Sequence, residues 1–172
     1  MKHGWDPILL GIKEAKKHPL YKRLNSAYEA LPSVNHAQYE AACFRRWLAA
    51  SQSGALLMVD YDVINYGFTP GDFNKLRDTT ALNNPLQLIT LSGWCCPCAV
   101  YSSNFTTAAL LFAIRKPTRL DAWKGKRHVS DQSILNKSED CFDTVRICRS
   151  PSDKGWRDFP LAHYSNASMQ KH

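Results

Sequence analysis

From Ser53 to Asp62 the chain reads Ser-Gly-Ala-Leu-Leu-Met-Val-Asp-Tyr-Asp, and no other stretch constrains the fold as much. Five apolar residues, Ala55 to Val59, run without a polar break and stop at an acidic pair. An apolar run without alternation suits a central strand covered on both faces. Such a strand demands layers above and below it. It also delivers two carboxylates at its end, because residues two apart on an extended segment project to the same side. Asp60 and Asp62 are therefore expected to reach one cation, and carboxylate oxygens are the ligands that Mg²⁺ and Mn²⁺ prefer. Ligands of open α/β sheets gather at strand ends. Two buried carboxylates with no cation would repel each other. A solvated turn is the plainer alternative for an Asp-x-Asp taken alone, so the surroundings decide between the two.

The surroundings alternate helix and strand patterns. Leu20, Leu24, Ala27, Tyr28 and Leu31 recur at helical spacing within Lys13 to Leu31, a stretch divided at His18-Pro19. His36 to Ser51 carries Tyr39, Cys43, Trp47 and Ala50 on one face and stops at Ser53-Gly54. Strands are expected at Trp5 to Leu10, Leu86 to Leu91 and Cys98 to Tyr101, with an edge strand at Thr144 to Cys148. Helices are expected at Phe105 to Arg115 and Ser130 to Lys137, the second capped by Ser130. The chain after Pro70-Gly71 and from Lys116 to His128 reads as loop, and the tail as irregular, frayed beyond Ser168. Alternating helices and buried strands argue for α/β.

At 172 residues and 44% hydrophobic, the chain fits one domain with a real core. The net charge of +7 suits an anionic partner such as nucleic acid, anionic lipid or a sugar diphosphate. Its cations form two clusters, Lys13 to Arg23 and Lys116 to Arg127, for which solvated surface is the plainer reading. The longest apolar stretch, Ala108 to Ile114, is far too short to span a bilayer, and the polar start lacks the apolar core of a signal peptide. A cytoplasmic protein with reduced thiols is expected.

The segment from Arg45 to Tyr66 resembles the Asp-x-Asp region of GT-A-type glycosyltransferases, in particular those grouped with bacterial polysaccharide-synthesis and sugar-binding transferases. In that pattern an Arg-bearing helix leads through a small-residue turn into an apolar strand and the acidic pair. Arg46 matches the helix arginine near the donor nucleotide, while Ser53-Gly54-Ala55 stands where a double glycine is common. Asp131-Gln132-Ser133-Ile134-Leu135-Asn136 resembles the segment that contacts the transferred sugar in retaining enzymes similar to glycogenin. Leu161-Ala162-His163 resembles the C-terminal segment whose His joins the two aspartates on the metal.

The resemblance implies a single GT-A-like α/β domain whose central mixed, mostly parallel sheet is flanked by helices. Residues 5–62 would form the nucleotide and metal half and 63–168 the acceptor half, with the first nucleotide-binding strand apparently missing. It implies Mn²⁺ or Mg²⁺ on Asp60, Asp62 and His163, a nucleotide-sugar donor near Arg46 and Asp60-Tyr61-Asp62, and Asp131 and Gln132 as catalytic residues. The acceptor would be a carbohydrate or another group.

A rival motif is Trp94-Cys95-Cys96-Pro97-Cys98, which fits the Trp-Cys-x-Pro-Cys of thioredoxins. The extra Cys96, and strand-like residues after Cys98 where that reading needs a helix, count against it. A zinc site is disfavoured because Cys141 and Cys148 supply no second close pair, and buried cysteines are the preferred reading. Nucleic-acid binding would rest on charge and on Trp94, Trp123 and Trp156 alone, without a recognition motif. It is not expected.

Overall fold

The structure is a computed structural model that describes residues 2–79, 84, 86–92, 97–114, 121–123 and 126–164. Six α-helices and nine strands are described: α1 Ile12–Ala15, α2 Tyr21–Glu29, α3 Ala37–Ser53, β1 Leu57–Val59, β2 Val63–Asn65, α4 Pro70–Thr79, β3 Leu88–Thr90, β4 Ala99–Ser102, α5 Phe105–Ile114, β5 Asp121–Trp123, β6 Lys126–His128, α6 Asp131–Asn136, β7 Asp143–Thr144, β8 Cys148–Arg149 and β9 Leu161–His163. Among the described residues no helix is long and apolar enough to cross a membrane.

Side-chain alternation divides the core into two layers. In the sheet β1-β4-β3-β7, Met58, Leu88 and Val100 face one cluster, while Leu57, Ile89, Ala99 and Tyr101 face the other. The first cluster is helical. Phe44 lies 4.9 Å from Tyr28 in a stacked pair, and Trp47 meets Phe112 edge to face at 4.9 Å. The second holds Phe68 and Phe73 together with Cys148 and Leu161 of the sheet β2-β9-β8. The protein is thus α/β, with mixed sheets flanked by helices.

The sheet is not mostly parallel as expected. β4 runs antiparallel to both β1 and β3, and only β7 lies parallel to β3. The connection from β3 to β4, residues 91–98, is shorter than the dozen or so residues a parallel crossover needs. β1 is also not a central strand. It lies at one end of its sheet, with Met58 buried and Val59 48% exposed.

Other elements differ locally. Trp5 to Leu10 is irregular, and Trp5 instead stacks on Phe68 at 5.7 Å and donates its indole N–H to the Phe68 carbonyl at 2.7 Å. The stretch after Pro70 is a helix. Thr69 and Asp72 cap α4 reciprocally, with Thr69 Oγ1 accepting from the Asp72 amide at 3.2 Å and Asp72 Oδ2 from the Thr69 amide at 3.1 Å. Lys126–His128 pairs with Asp121–Trp123 as a hairpin rather than a loop. Thr144 to Cys148 divides between two sheets, and the tail contributes β9. The remaining helices fall where expected. α3 ends at Gly54 with φ 68°, a left-handed cap that favours glycine, and Ser130 caps α6.

His18 joins α1 to α2. Its Nδ1 accepts from the Leu20 amide at 3.1 Å, and Nε2 lies 3.5 Å from Thr106 Oγ1 of α5. Burial holds its pKa below the usual imidazole value. A group depressed in the folded state contributes stability at high pH and loses it as pH falls through the folded value. Thermal unfolding midpoints should therefore drop as pH falls below about 6.5. In His18→Asn this part of the drop should be reduced, and an unchanged pH profile in the variant would remove His18 as its source.

Candidate metal centre

Three elements deliver the centre. A turn carries the chain from β1 into β2, closed by the Val63 amide donating to the Asp60 carbonyl at 3.0 Å. The Asp60 amide donates to Cys98 O at 2.8 Å, which fixes the strand end beside β4. The antiparallel register of β2 with β9 sets Val63 opposite His163, and the Tyr164 amide donates to the Asp62 carbonyl at 2.9 Å. That pairing brings His163 to the acidic turn. Asp60, Asp62 and His163 each offer one ligand atom, all within 4.8 Å of one another. His163 Nε2 stands 3.4 Å from Asp62 Oδ1.

Each of the three side chains is partly shielded. Asp62 Oδ1 is closed off from water and accepts no hydrogen bond with proper geometry, although the imidazole faces it. A shielded carboxylate oxygen that accepts no hydrogen bond among the described residues and faces an imidazole at 3.4 Å is one that a cation would satisfy. Two carboxylates and one imidazole are a donor set that Mn²⁺ accepts readily, and Mg²⁺ more through the oxygens. Three atoms bonded to one such ion at about 2.1 Å lie at most about 4.2 Å apart, so a small side-chain rotation closes the set.

Beside the triad stands an ion network that links helix, strand end and helix. Arg46 of α3 donates from one Nη to Asp60 and from the other to Asp131 Oδ2 at 2.7 Å. Asp131, at the first turn of α6, also accepts from Trp47 Nε1 at 3.0 Å and from the Gln132 amide at 2.8 Å. Burial would lower the Arg46 pKa, but the charges of Asp131 and Asp60 outweigh it and raise it, so the guanidinium stays charged. Burial raises the Asp60 carboxyl above its ordinary value, with Arg46 opposing. Burial first, then the Asp131 charge, pushes the Cys43 thiol up to about 12, so Cys43 is no thiolate. With the His163 imidazole neutral, as metal binding requires, three carboxylates against one guanidinium leave two negative charges, which one divalent ion would balance.

The site residues expected from the sequence thus divide. Asp60, Asp62 and His163 come together, and Tyr61 lies almost wholly in water between the two aspartates. Arg46 reaches Asp60, but its fork is occupied by carboxylates. Asp131 is 4% exposed with both oxygens engaged, and Gln132 is exposed. Trp47 as the second donor to Asp131 was missed, because its place on an apolar helix face reads only as core. Of the thiol motif, Trp94, Cys95 and Cys96 lie outside the described residues. Cys98 is buried, and a strand rather than a helix follows it.

Comparison with known protein families, curated proteins and solved structures finds no match to this chain.

Because Arg46 neutralises a carboxylate that is 5% exposed, Arg46→Met should cost about 3–5 kcal/mol in urea unfolding. Asp60→Asn should cost clearly less, since Asp60 is 26% exposed and Asp131 still holds Arg46. Equal costs for the two variants would contradict this ranking.

Proposed function

We propose that the chain is a metal-dependent glycosyltransferase that takes a sugar from a nucleotide-sugar donor. One observation carries the reading. The two aspartates and the histidine that the resemblance pairs on a metal, drawn from distant parts of the chain, converge at one strand end. The acidic excess there and the shielded Asp62 oxygen support a bound cation independently of any resemblance.

In this reading Asp60, Asp62 and His163 hold Mn²⁺ or Mg²⁺, which supplies charge neutralisation for a diphosphate leaving group. Arg46 keeps the Asp60 carboxylate aimed at the turn, and Asp131 and Trp47 hold Arg46 in place. Asp131 is then a positioning residue, not one that touches sugar. Gln132, exposed at the start of α6, is left as the group to reach the transferred sugar. Tyr61 offers an exposed ring against which a donor can lie. The acceptor is a carbohydrate or another nucleophile.

Calorimetric titration with Mn²⁺, then with UDP-sugars and GDP-sugars, tests the reading. Wild type should bind a nucleotide-sugar only with metal present. Asp62→Ala and His163→Ala should each weaken Mn²⁺ binding by more than about tenfold and abolish donor binding. Metal binding that survives in both variants, or donor binding indifferent to metal, would rule it out.

A further inference from the structure

Away from the metal centre, the segment 8–23 combines two features that seldom share a surface without a reason. Leu9 is 96% exposed, Ile8 54% and Ile12 44%, three aliphatic side chains within five positions. Lys13, Lys16, Lys17, Lys22 and Arg23 follow directly, all exposed. Glu14 is the one acid of this stretch, with Asp6 just before it, and Glu14 is turned back to accept from the Gly11 amide at 2.9 Å.

The segment is firmly seated from below. Ala15, Leu24 and Tyr28 are buried in the helical core, Leu10 and Leu20 pack against it, and the Tyr28 hydroxyl donates to the Ala109 carbonyl at 2.9 Å. The outward residues of α1 and α2 thus rest on a packed base, and Ile8 and Leu9 lie in the irregular segment that leads into it. Single exposed aliphatics are ordinary, but a cluster of them fringed by cations is not what water selects.

We propose that this face docks on an anionic lipid bilayer. Ile8, Leu9 and Ile12 would enter the boundary between headgroups and acyl chains, while the five cations meet lipid phosphates. Charge complementarity selects the anionic surface, and the aliphatic tip selects lipid over nucleic acid. A polyanion backbone gives Leu9 nothing to enter, and no aromatic ring in the segment's exposed face offers base stacking. The attachment is peripheral, in keeping with the lack of any membrane-crossing helix among the described residues. It stands apart from the transfer reading, and neither depends on the other.

Vesicle flotation of the full chain tests it, with phosphatidylcholine vesicles with and without phosphatidylglycerol. The protein should float only with phosphatidylglycerol and be released as salt rises from about 0.1 to about 0.5 M. Leu9→Ser combined with Ile12→Ser, and separately Lys16→Glu combined with Lys17→Glu, should each weaken binding about tenfold or more. All four positions are exposed, so unchanged thermal midpoints will confirm folding. Lys75→Glu, on exposed α4 surface, should bind as wild type. Absence of flotation, equal loss in Lys75→Glu, or binding indifferent to the Leu9 and Ile12 changes but displaced by duplex DNA, would each overturn the proposal.

Discussion

The Arg46 guanidinium is the joint on which this architecture turns. It stands between the end of β1 and the start of α6, and it comes from the longest helix. A planar fork with a fixed spread suits this task, since it can bond two carboxylates from different elements at once. Burying charges is expensive, and attraction offsets that expense only when geometry is good and remaining donors are used. Trp47 and the Gln132 amide complete the bonding of Asp131, so the deeper carboxylate is satisfied on both oxygens, while Arg46 Nε is buried without an acceptor among the described residues. The shallower one, Asp60, retains access to the turn. Burial, with the neighbouring Asp131 and Asp62 charges, raises its carboxyl above the ordinary value, and Arg46 opposes that rise.

That asymmetry explains how the acidic turn divides its work. Arg46 answers for Asp131 and part of Asp60, while Asp62 and His163 are brought up by a different device, the β2–β9 ladder. One side of the centre is therefore set by an ion pair and the other by backbone register. A shift of β9 by one residue would turn His163 to the opposite face, and no local feature of Leu161-Ala162-His163 would compensate. The exposed Tyr66 and Tyr164 hydroxyls, 2.7 Å apart, and Trp156 beside both rings help hold that register from the outer face.

Several local signals in the sequence are legible where local chemistry decides. The periodicity of Tyr39, Cys43 and Trp47, the left-handed Gly54 cap and the Ser130 cap placed α3 and α6 within two residues. The cap of α4 was just as local, but Pro70-Gly71 masked it. A proline in the first helical turn and an acid two residues later are start signals, not a break. What could not be read was pairing. Strand direction depends on connection length and on what lies opposite, so Leu88–Thr90 and Ala99–Ser102 looked alike whether parallel or antiparallel. The same limit hid the Arg46–Asp131 pair. Each residue was singled out, yet each was assigned to a ligand, because sequence shows the types of charged groups and not which ones satisfy one another.

The displacement of β1 from the middle of the sheet to its edge bears on the chemistry. Had Ala55 to Val59 run through the centre, the carboxylates at its end would lie deeper, and both the cation and its anionic ligand would lose more hydration on entering. At the edge, Val59 is half exposed, Tyr61 is nearly free in water, and the three prospective ligands retain about a fifth to a quarter of their side-chain surface. Mg²⁺ surrenders its waters reluctantly and usually keeps several. A shallow site with three protein ligands leaves room for those waters or for phosphate oxygens, where a deep one would demand a full protein cage. The exposed apolar side chains around the turn are the counterpart of that openness. Val59, Ile64 and Tyr66 each keep about half of their surface in water there.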